Sequence, residues 1–300
     1  NKKKTLSICV PVFNRISLFE RLLKSIRCNN PKLIEVIIID DGSFDDIKSL
    51  IDKYKKKNKK ITYKYFKQKN AGVAHAMINA YKNSNGIFCI KMDTDDIFVS
   101  NGINNILKFL EKNTHIIKKN KKICGAVFGT KLIFKEKKII NQLPNNIVTN
   151  FLELKADFGI KFDCKEVVYR DVILEKQIYI PKKIRVVQQS WFVIANFYDC
   201  ITSKTIVAQK EYLEDGLSSK SAIGYKIKES KILAKMNLII SKSDKYKSRF
   251  FRYKAELLTQ KYALHSNQKY INHFRDLLFF LLVWPLFKYE QILYKLIFKK

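Results

Sequence analysis

Closely spaced cysteine pairs, histidine clusters and long apolar runs are all missing from this chain. Its six cysteines (Cys9, Cys28, Cys89, Cys124, Cys164 and Cys200) are scattered, with no C-x-x-C pair and no Cys/His grouping. That argues against a zinc module or a disulfide framework. Cys9 and Cys89 fall inside apolar, strand-like runs and read as buried thiols in a reducing compartment. The longest uninterrupted apolar run, residues 277–287, is short for a bilayer span and is broken by Pro285. No signal peptide is visible in the residues that follow Asn1. Acidic residues are also scarce, with 27 Asp+Glu against 58 Lys+Arg and a formal charge of +31. Such a balance suits a polyanionic partner: nucleic acid, an anionic membrane or a phosphorylated substrate. No helix-turn-helix, zinc or RNP-like motif supports nucleic acid. The lysines are spread over many segments of a chain rich in Lys, Asn and Ile, so composition accounts for part of the charge.

Where carboxylates do occur, they cluster. Ile87-Phe-Cys-Ile-Lys-Met-Asp-Thr-Asp-Asp96 is a short apolar run that ends in three carboxylates within four residues. The run has the length and composition of a buried strand, which would deliver the carboxylates to the carboxyl edge of a sheet, where open α/β sheets bind ligands. Like charges packed so closely are costly without a cation among them. A hard divalent ion, with a diphosphate on its other side, is the natural neutraliser. An acidic turn in which Asp95 or Asp96 caps the next helix is the alternative.

The order of elements supports the first reading. Leu6-Ser-Ile-Cys-Val-Pro-Val-Phe13 reads as a strand, followed by a loop at Asn14-Arg15 and a helix opened by a Ser17–Glu20 capping box. Ile34-Glu-Val-Ile-Ile-Ile39 is a strand apolar on both faces, ending in Asp40-Asp-Gly-Ser43. A helix over residues 45–57, a strand over 61–66, and a helix containing His75 and Asn79 lead to the acidic strand. Strand and helix thus alternate four times in about 100 residues, the pattern of a doubly wound α/β sheet. The loops after strands one, two and four all fall on one edge.

Pro11-Val-Phe-Asn-Arg15, Asp40-Asp-Gly-Ser43, Gly72-x-x-His75-x-x-x-Asn79 and Asp93-Thr-Asp-Asp96 resemble, in order and spacing, the landmarks of family 2 glycosyltransferases of bacterial surface-polysaccharide type. The resemblance spans roughly residues 5–110. It implies a GT-A fold: a Rossmann-like mixed sheet flanked by helices. It also implies a hexosyltransferase that moves a sugar from a nucleotide-diphosphosugar, expected to be UDP-linked, to a glycan or lipid-linked acceptor with inversion. Residue by residue, it implies that Asp41 meets the nucleobase, that Pro11, Val12 and Asn14 line the nucleotide pocket, and that Arg15 approaches a phosphate. Asp93 would face the ribose or the metal, and Asp95 and Asp96 of the DXD-like motif would hold Mn²⁺ or Mg²⁺. Gly72 and His75 are candidate donor contacts, with a tight turn and a packed histidine as their respective alternatives.

The resemblance places the catalytic domain at residues 1–220, closing near Tyr212 and Asp215-Gly216, and from about Ile223 the pattern turns helical. Strands are expected near 124–128 and 131–134, a hairpin if they pair, with irregular chain over 136–165. In relatives an acidic base is expected just before the helix that here carries Trp191. Yet residues 176–198 contain no Asp or Glu, and Gln188-Gln189 stand in the place. Asp163, Glu166, Asp171, Glu175 and Asp199 are the nearby carboxylates, and Asp171 and Asp199 are the expected substitutes. A catalytically impaired nucleotide-sugar-binding scaffold is the competing function. In the helical extension, 221–300, the last thirty residues set Trp284, Phe287 and Tyr289 among leucines and flanking lysines, as in an interfacial helix on an anionic membrane. A tail folded back on the domain, or a homo-oligomer contact, is the alternative. The expected location is cytoplasmic, peripheral on the inner face of the cell membrane.

Overall fold

A computed structural model describes residues 4–134, 137–140, 143–160, 163–176, 189–211, 226–267, 285 and 287–289. The first half alternates as the apolar pattern requires: β1 (Leu6–Val12), α1 (Ile16–Ser25), β2 (Ile34–Asp40), α2 (Ile47–Lys57), β3 (Thr62–Lys67), α3 (Val73–Lys82) and β4 (Phe88–Lys91). After the acidic motif come β5 (Asp96–Phe98), α4 (Gly102–Lys112), α5 (Thr114–Lys119), β6 (Ile123–Phe134), β7 (Lys137–Ile140), β8 (Val148–Thr149) and α6 (Phe151–Ala156). The order closes with β9 (Lys165–Tyr169), α7 (Arg170–Glu175), α8 (Gln189–Phe197), β10 (Asp199–Glu211), α9 (Ser230–Ser241) and α10 (Arg249–His265).

The sheet runs β3-β2-β1-β4-β9-β6-β10-β5, with β7 added to β6 and β8 to β10. β3, β2, β1 and β4 are parallel, and β9 joins β4 antiparallel. The sheet is therefore mixed. β1 and β2 are buried on both faces, and successive residues feed two separate cores. Ile8 and Val10 pack with Phe19, Leu22, Ile47, Ile51 and Ile103 under α1, α2 and α4. Cys9, Ile37 and Ile39 pack with Met77, Ala80, Phe151, Trp191 and Phe192 under α3, α6 and α8. Period-two alternation across a two-sided sheet produces this division.

Three local expectations are corrected. Ser17 and Glu20 do not form a capping box: α1 begins at Ile16 with no side-chain cap from Arg15. Instead Asp45, from the loop after β2, accepts the Ile16 amide at 3.0 Å, so a tertiary partner satisfies the helix start. Glu20 pairs with Lys24 and Lys53, each at 3.5 Å. The two apolar stretches at 124–134 are one strand, β6, whose hairpin partner is β7. Residues 136–165 contain α6 as well as irregular chain, its start capped by Asn150, which accepts the Glu153 amide at 2.9 Å. Asp96 opens β5 and pairs with Lys210 of β10 instead of capping α4. All six cysteines are free, five of them buried. Among the described residues, no helix is long and apolar enough to cross a membrane. Tyr212, Asp215, Gly216 and most of the aromatic tail lie outside the described residues.

Candidate active site

The carboxyl ends of β1, β2 and β4 lie side by side because Val12 pairs with Asp40 and Cys9 with Lys91. Each loop leaving this edge brings polar atoms. Pro11 and Val12 are buried, and the Val12 carbonyl accepts the Asp41 amide at 2.8 Å. Asn14, at φ 48°, is exposed; its amide donates to Ser43 Oγ at 3.0 Å and its side chain accepts the Phe44 amide at 2.8 Å. These bonds tie the first loop to the second.

Asp40 and Asp41 divide their roles. Asp40, fully buried, accepts the Ser43 amide at 2.7 Å and the Tyr65 hydroxyl at 2.8 Å, which makes it a turn former. Asp41 accepts Gln68 Nε2 at 2.7 Å and the amides of Ala71 and Gly72, both at 2.8 Å. Asn79 donates to the Gln68 side chain, so a relay from α3 orients Asp41. A carboxylate offers about four lone-pair positions, of which three are taken. Gly72 sits at φ 93°, ψ 156°, a region closed to residues with a Cβ, and this turn aims its amide at Asp41. His75, half-buried, lies one turn into α3.

The acidic motif forms the third wall. Asp93, Asp95 and Asp96 bring one carboxylate oxygen each within 4.8 Å of one another. Asp96 is fully buried. Its Oδ2 accepts Lys165 Nζ and, at 3.3 Å, the Asp93 amide, whereas its Oδ1 has no partner. Asp93 accepts Lys91 Nζ at 2.8 Å. Burial opposes its charge, but Lys91, Lys210 and Lys165 outweigh that and hold its carboxyl well below the usual range. Asp95 is pushed up by burial and by Asp93 and Asp96, and Arg15 Nη1 stands 3.9 Å from it. A buried orphan oxygen and a carboxylate surrounded by like charge are what a cation would relieve, and oxygen donors suit Mg²⁺ or Mn²⁺. The residues therefore fit such an ion.

The two carboxylates expected to act as base are not brought here. β9 runs antiparallel to β4, with Phe88 opposite Tyr169, so Asp171, just beyond Tyr169, is at the opposite edge of the sheet. Its side chain is 84% exposed and pairs with Arg170 at 3.3 Å. Asp199 pairs with Ile123 at the start of β10, again at the far edge. The reversal of β9 brings its start to the site instead, with Asp163, Lys165 and Glu166. Asp163 accepts Lys210 Nζ at 2.9 Å. Glu166, half-buried on the face opposite Lys165, is raised to about 7, chiefly by burial. Lys91, Lys165 and Lys210 were not among the residues picked out from sequence. The available signal was a lysine interrupting apolar strand ends, at Lys91 two residues before Asp93.

Residues 7–159 match the profile of Glycosyl transferase family 2. This chain belongs to glycosyl transferase family 2. The family 2 glycosyltransferase is 41% identical over 111 residues to an uncharacterized glycosyltransferase, RC0461, of Rickettsia conorii, covering 37% of this chain and 18% of the relative. It is 29% identical over 154 residues to a GalNAc(5)-diNAcBac-PP-undecaprenol beta-1,3-glucosyltransferase of Campylobacter jejuni, covering 51% of this chain and 47% of the relative. The chain thus spans less than half the length of either relative. Among solved structures, S. aureus TarS 1-349 in complex with UDP-GlcNAc superposes with a TM-score of 0.62 at 16% identity, over 87% of this chain and 72% of that one. The mannosyltransferase PcManGT of Pyrobaculum calidifontis, in complex with GDP-Man and Mn²⁺, gives 0.55 at 14%, over 88% and 74%. The fold of this glycosyltransferase is GT-A.

Proposed function

We propose that this glycosyltransferase transfers a sugar, with inversion, from a UDP-sugar to a glycan or lipid-linked acceptor in surface-polysaccharide synthesis. The observation that carries the reading is the meeting of Asp93, Asp95 and Asp96 with Arg15 and the Asp41 turn on one sheet edge. Asp41, oriented through Gln68, offers its remaining acceptor position to a nucleobase N–H. Arg15 offers a guanidinium to the diphosphate. Asp95 and Asp96, with Asp93, would hold Mn²⁺ or Mg²⁺, which supplies charge stabilisation to the leaving diphosphate. Gly72 and His75 border the donor side, and the solved neighbours in complex with UDP-GlcNAc and with GDP-Man and Mn²⁺ support this assignment.

Glu166 is the base we assign in place of Asp171 and Asp199. Its half-buried carboxyl, on the sheet face opposite Lys165 and raised to about 7 chiefly by burial, has the proton affinity needed to take an acceptor hydroxyl proton near neutral pH. The competing reading is a scaffold that binds the nucleotide-sugar without turnover, favoured by the lack of any carboxylate over residues 176–198. A thermal-shift panel of nucleotide-sugars with and without Mn²⁺, followed by transfer and hydrolysis assays, decides. Stabilisation by UDP-sugars that requires Mn²⁺, with turnover, supports the enzyme; binding without turnover across a broad acceptor panel supports the scaffold; no binding sinks both. The basic, aromatic end of the chain is assigned to an anionic membrane face, with self-association as the alternative. Loss of co-sedimentation with anionic vesicles on removing residues after 269 checks this.

A further inference from the structure

The carboxylates of the acidic motif each face a cation of the chain itself. Asp93, Asp95, Asp96 and Asp163 face Lys91, Arg15, Lys165 and Lys210, in ion pairs at 2.8 Å (Lys91–Asp93), 2.9 Å (Lys210–Asp163) and 3.9 Å (Arg15–Asp95) and in the Lys165–Asp96 contact. Lys165 is the most deeply placed of the cations, with a side chain 8% exposed. Besides Asp96 it donates to the Lys91 carbonyl at 3.4 Å, so its ammonium is held between the end of β4 and the start of β5. Burial works against its charge, yet Asp96 and Asp93 more than compensate and raise its pKa.

We propose that Lys165 is a built-in counter-ion for Asp96 that couples metal binding to diphosphate binding. The proposal rests on the donor site described above. A divalent ion entering alone meets an Asp96 already paired with a deeply placed ammonium, and adds positive charge beside it. A diphosphate entering alone adds negative charge. Together the two charges largely offset each other, so each favours the other, and by linkage the coupling is reciprocal. Without the Lys165 charge Asp96 loses its paired cation, and the site accepts the ion by itself.

Calorimetric titration of Mn²⁺ into the full chain, without nucleotide and with saturating UDP, tests this. The unaltered chain is expected to bind Mn²⁺ at least about tenfold more tightly with UDP present. Lys165→Gln is expected to bind Mn²⁺ alone about tenfold more tightly than the unaltered chain and to lose most of the coupling. Equal Mn²⁺ affinity with and without UDP in the unaltered chain overturns the proposal. So does a Lys165→Gln protein whose affinity for Mn²⁺ alone is unchanged or weaker, or UDP binding that needs Lys165 but no metal. If circular dichroism shows Lys165→Gln unfolded, Lys91→Gln, which frees Asp93 at a more exposed position (21%), is read by the same criteria. Failure of UDP to bind under any condition removes the donor-site reading, while the titrations with Mn²⁺ alone still judge Lys165.

Discussion

Glu35 and Asp96 are both carboxylates without appreciable exposure, at 1% and 0%, and both are paired with a lysine, yet they sit at opposite edges of the same sheet. Glu35, at the start of β2, accepts the Ser7 hydroxyl at 2.6 Å, the amides of Asn85 and Gly86, and Lys64 at 2.9 Å. Burial opposes its charge, but Ser7, the Asn85 amide and Lys64 prevail and lower its pKa. Asp96 has one oxygen served and one orphaned, with Asp93 and Asp95 beside it. A buried carboxylate whose lone pairs are filled holds the chain together. One with a lysine on one oxygen and nothing on the other, beside two more carboxylates, keeps a place for a cation that arrives. The edge that closes helices and starts strands is finished; the edge that ends them is left open for a ligand.

If that contrast is right, substitutions at the open edge should cost chemistry and spare the fold, and the reverse should hold at the closed edge. The largest effect is expected at Glu166. Glu166→Gln should lower transfer by about 10²–10⁴-fold with UDP affinity unchanged in calorimetry. The unaltered enzyme should gain kcat/KM as pH rises through about 7, where Glu166 loses its proton, and the variant should lack that limb. The sign for stability is opposite. Its pKa is raised from 4.5 to about 7, so over that interval the folded chain holds a proton that the unfolded chain releases, and stability falls as pH rises through the window. A parental rate in Glu166→Gln returns the search for the base to other residues.

Next is Asp95→Ala, expected to weaken Mn²⁺-dependent UDP binding by about 10–100-fold. Its melting temperature should hold or rise, because like charge is relieved. Unaltered binding, or binding without a metal requirement in the parent, sinks the ligand assignment. The smallest is Glu35→Gln, which should destabilise by about 1–3 kcal/mol in urea titration while the folded protein keeps its UDP affinity. Because the Glu35 pKa is lowered from 4.5, its contribution is present above that pH and is lost as pH falls through the depressed folded value. A loss of UDP affinity in Glu35→Gln with no loss of stability would break the contrast.

The parallel half of the fold was legible because its signals are local. Apolar runs of strand length ending in Asp40-Asp41 and in Asp93–Asp96, separated by amphipathic helices, place both acidic ends on one edge by period and connection rules alone. The placement of Asp171 was not legible because β9 enters the sheet antiparallel. Tyr169-Arg170-Asp171 looks suitable in sequence, but a strand that runs backwards sends its far end away from the site and brings its start, with Lys165 and Glu166, toward it. The failed capping box has the same origin: Ser17 and Glu20 had the right spacing, but Asp45 from a distant loop reached the helix start first.

By itself, the sequence determined the strand–helix alternation, the two acidic strand ends and the shared edge on which they meet, since burial periodicity and strand chemistry depend only on neighbours a few residues away. Only the tertiary structure decided which cations those carboxylates face. Lys165 and Asp96 are 69 residues apart and Lys210 and Asp163 are 47 apart, and no local pattern encodes a pairing made by strand reversal. Charge balance in the site belongs to the folded chain because electrostatic interaction depends on distance in space and on burial, and both are fixed only when β9 and β10 close the sheet beside β4 and β5.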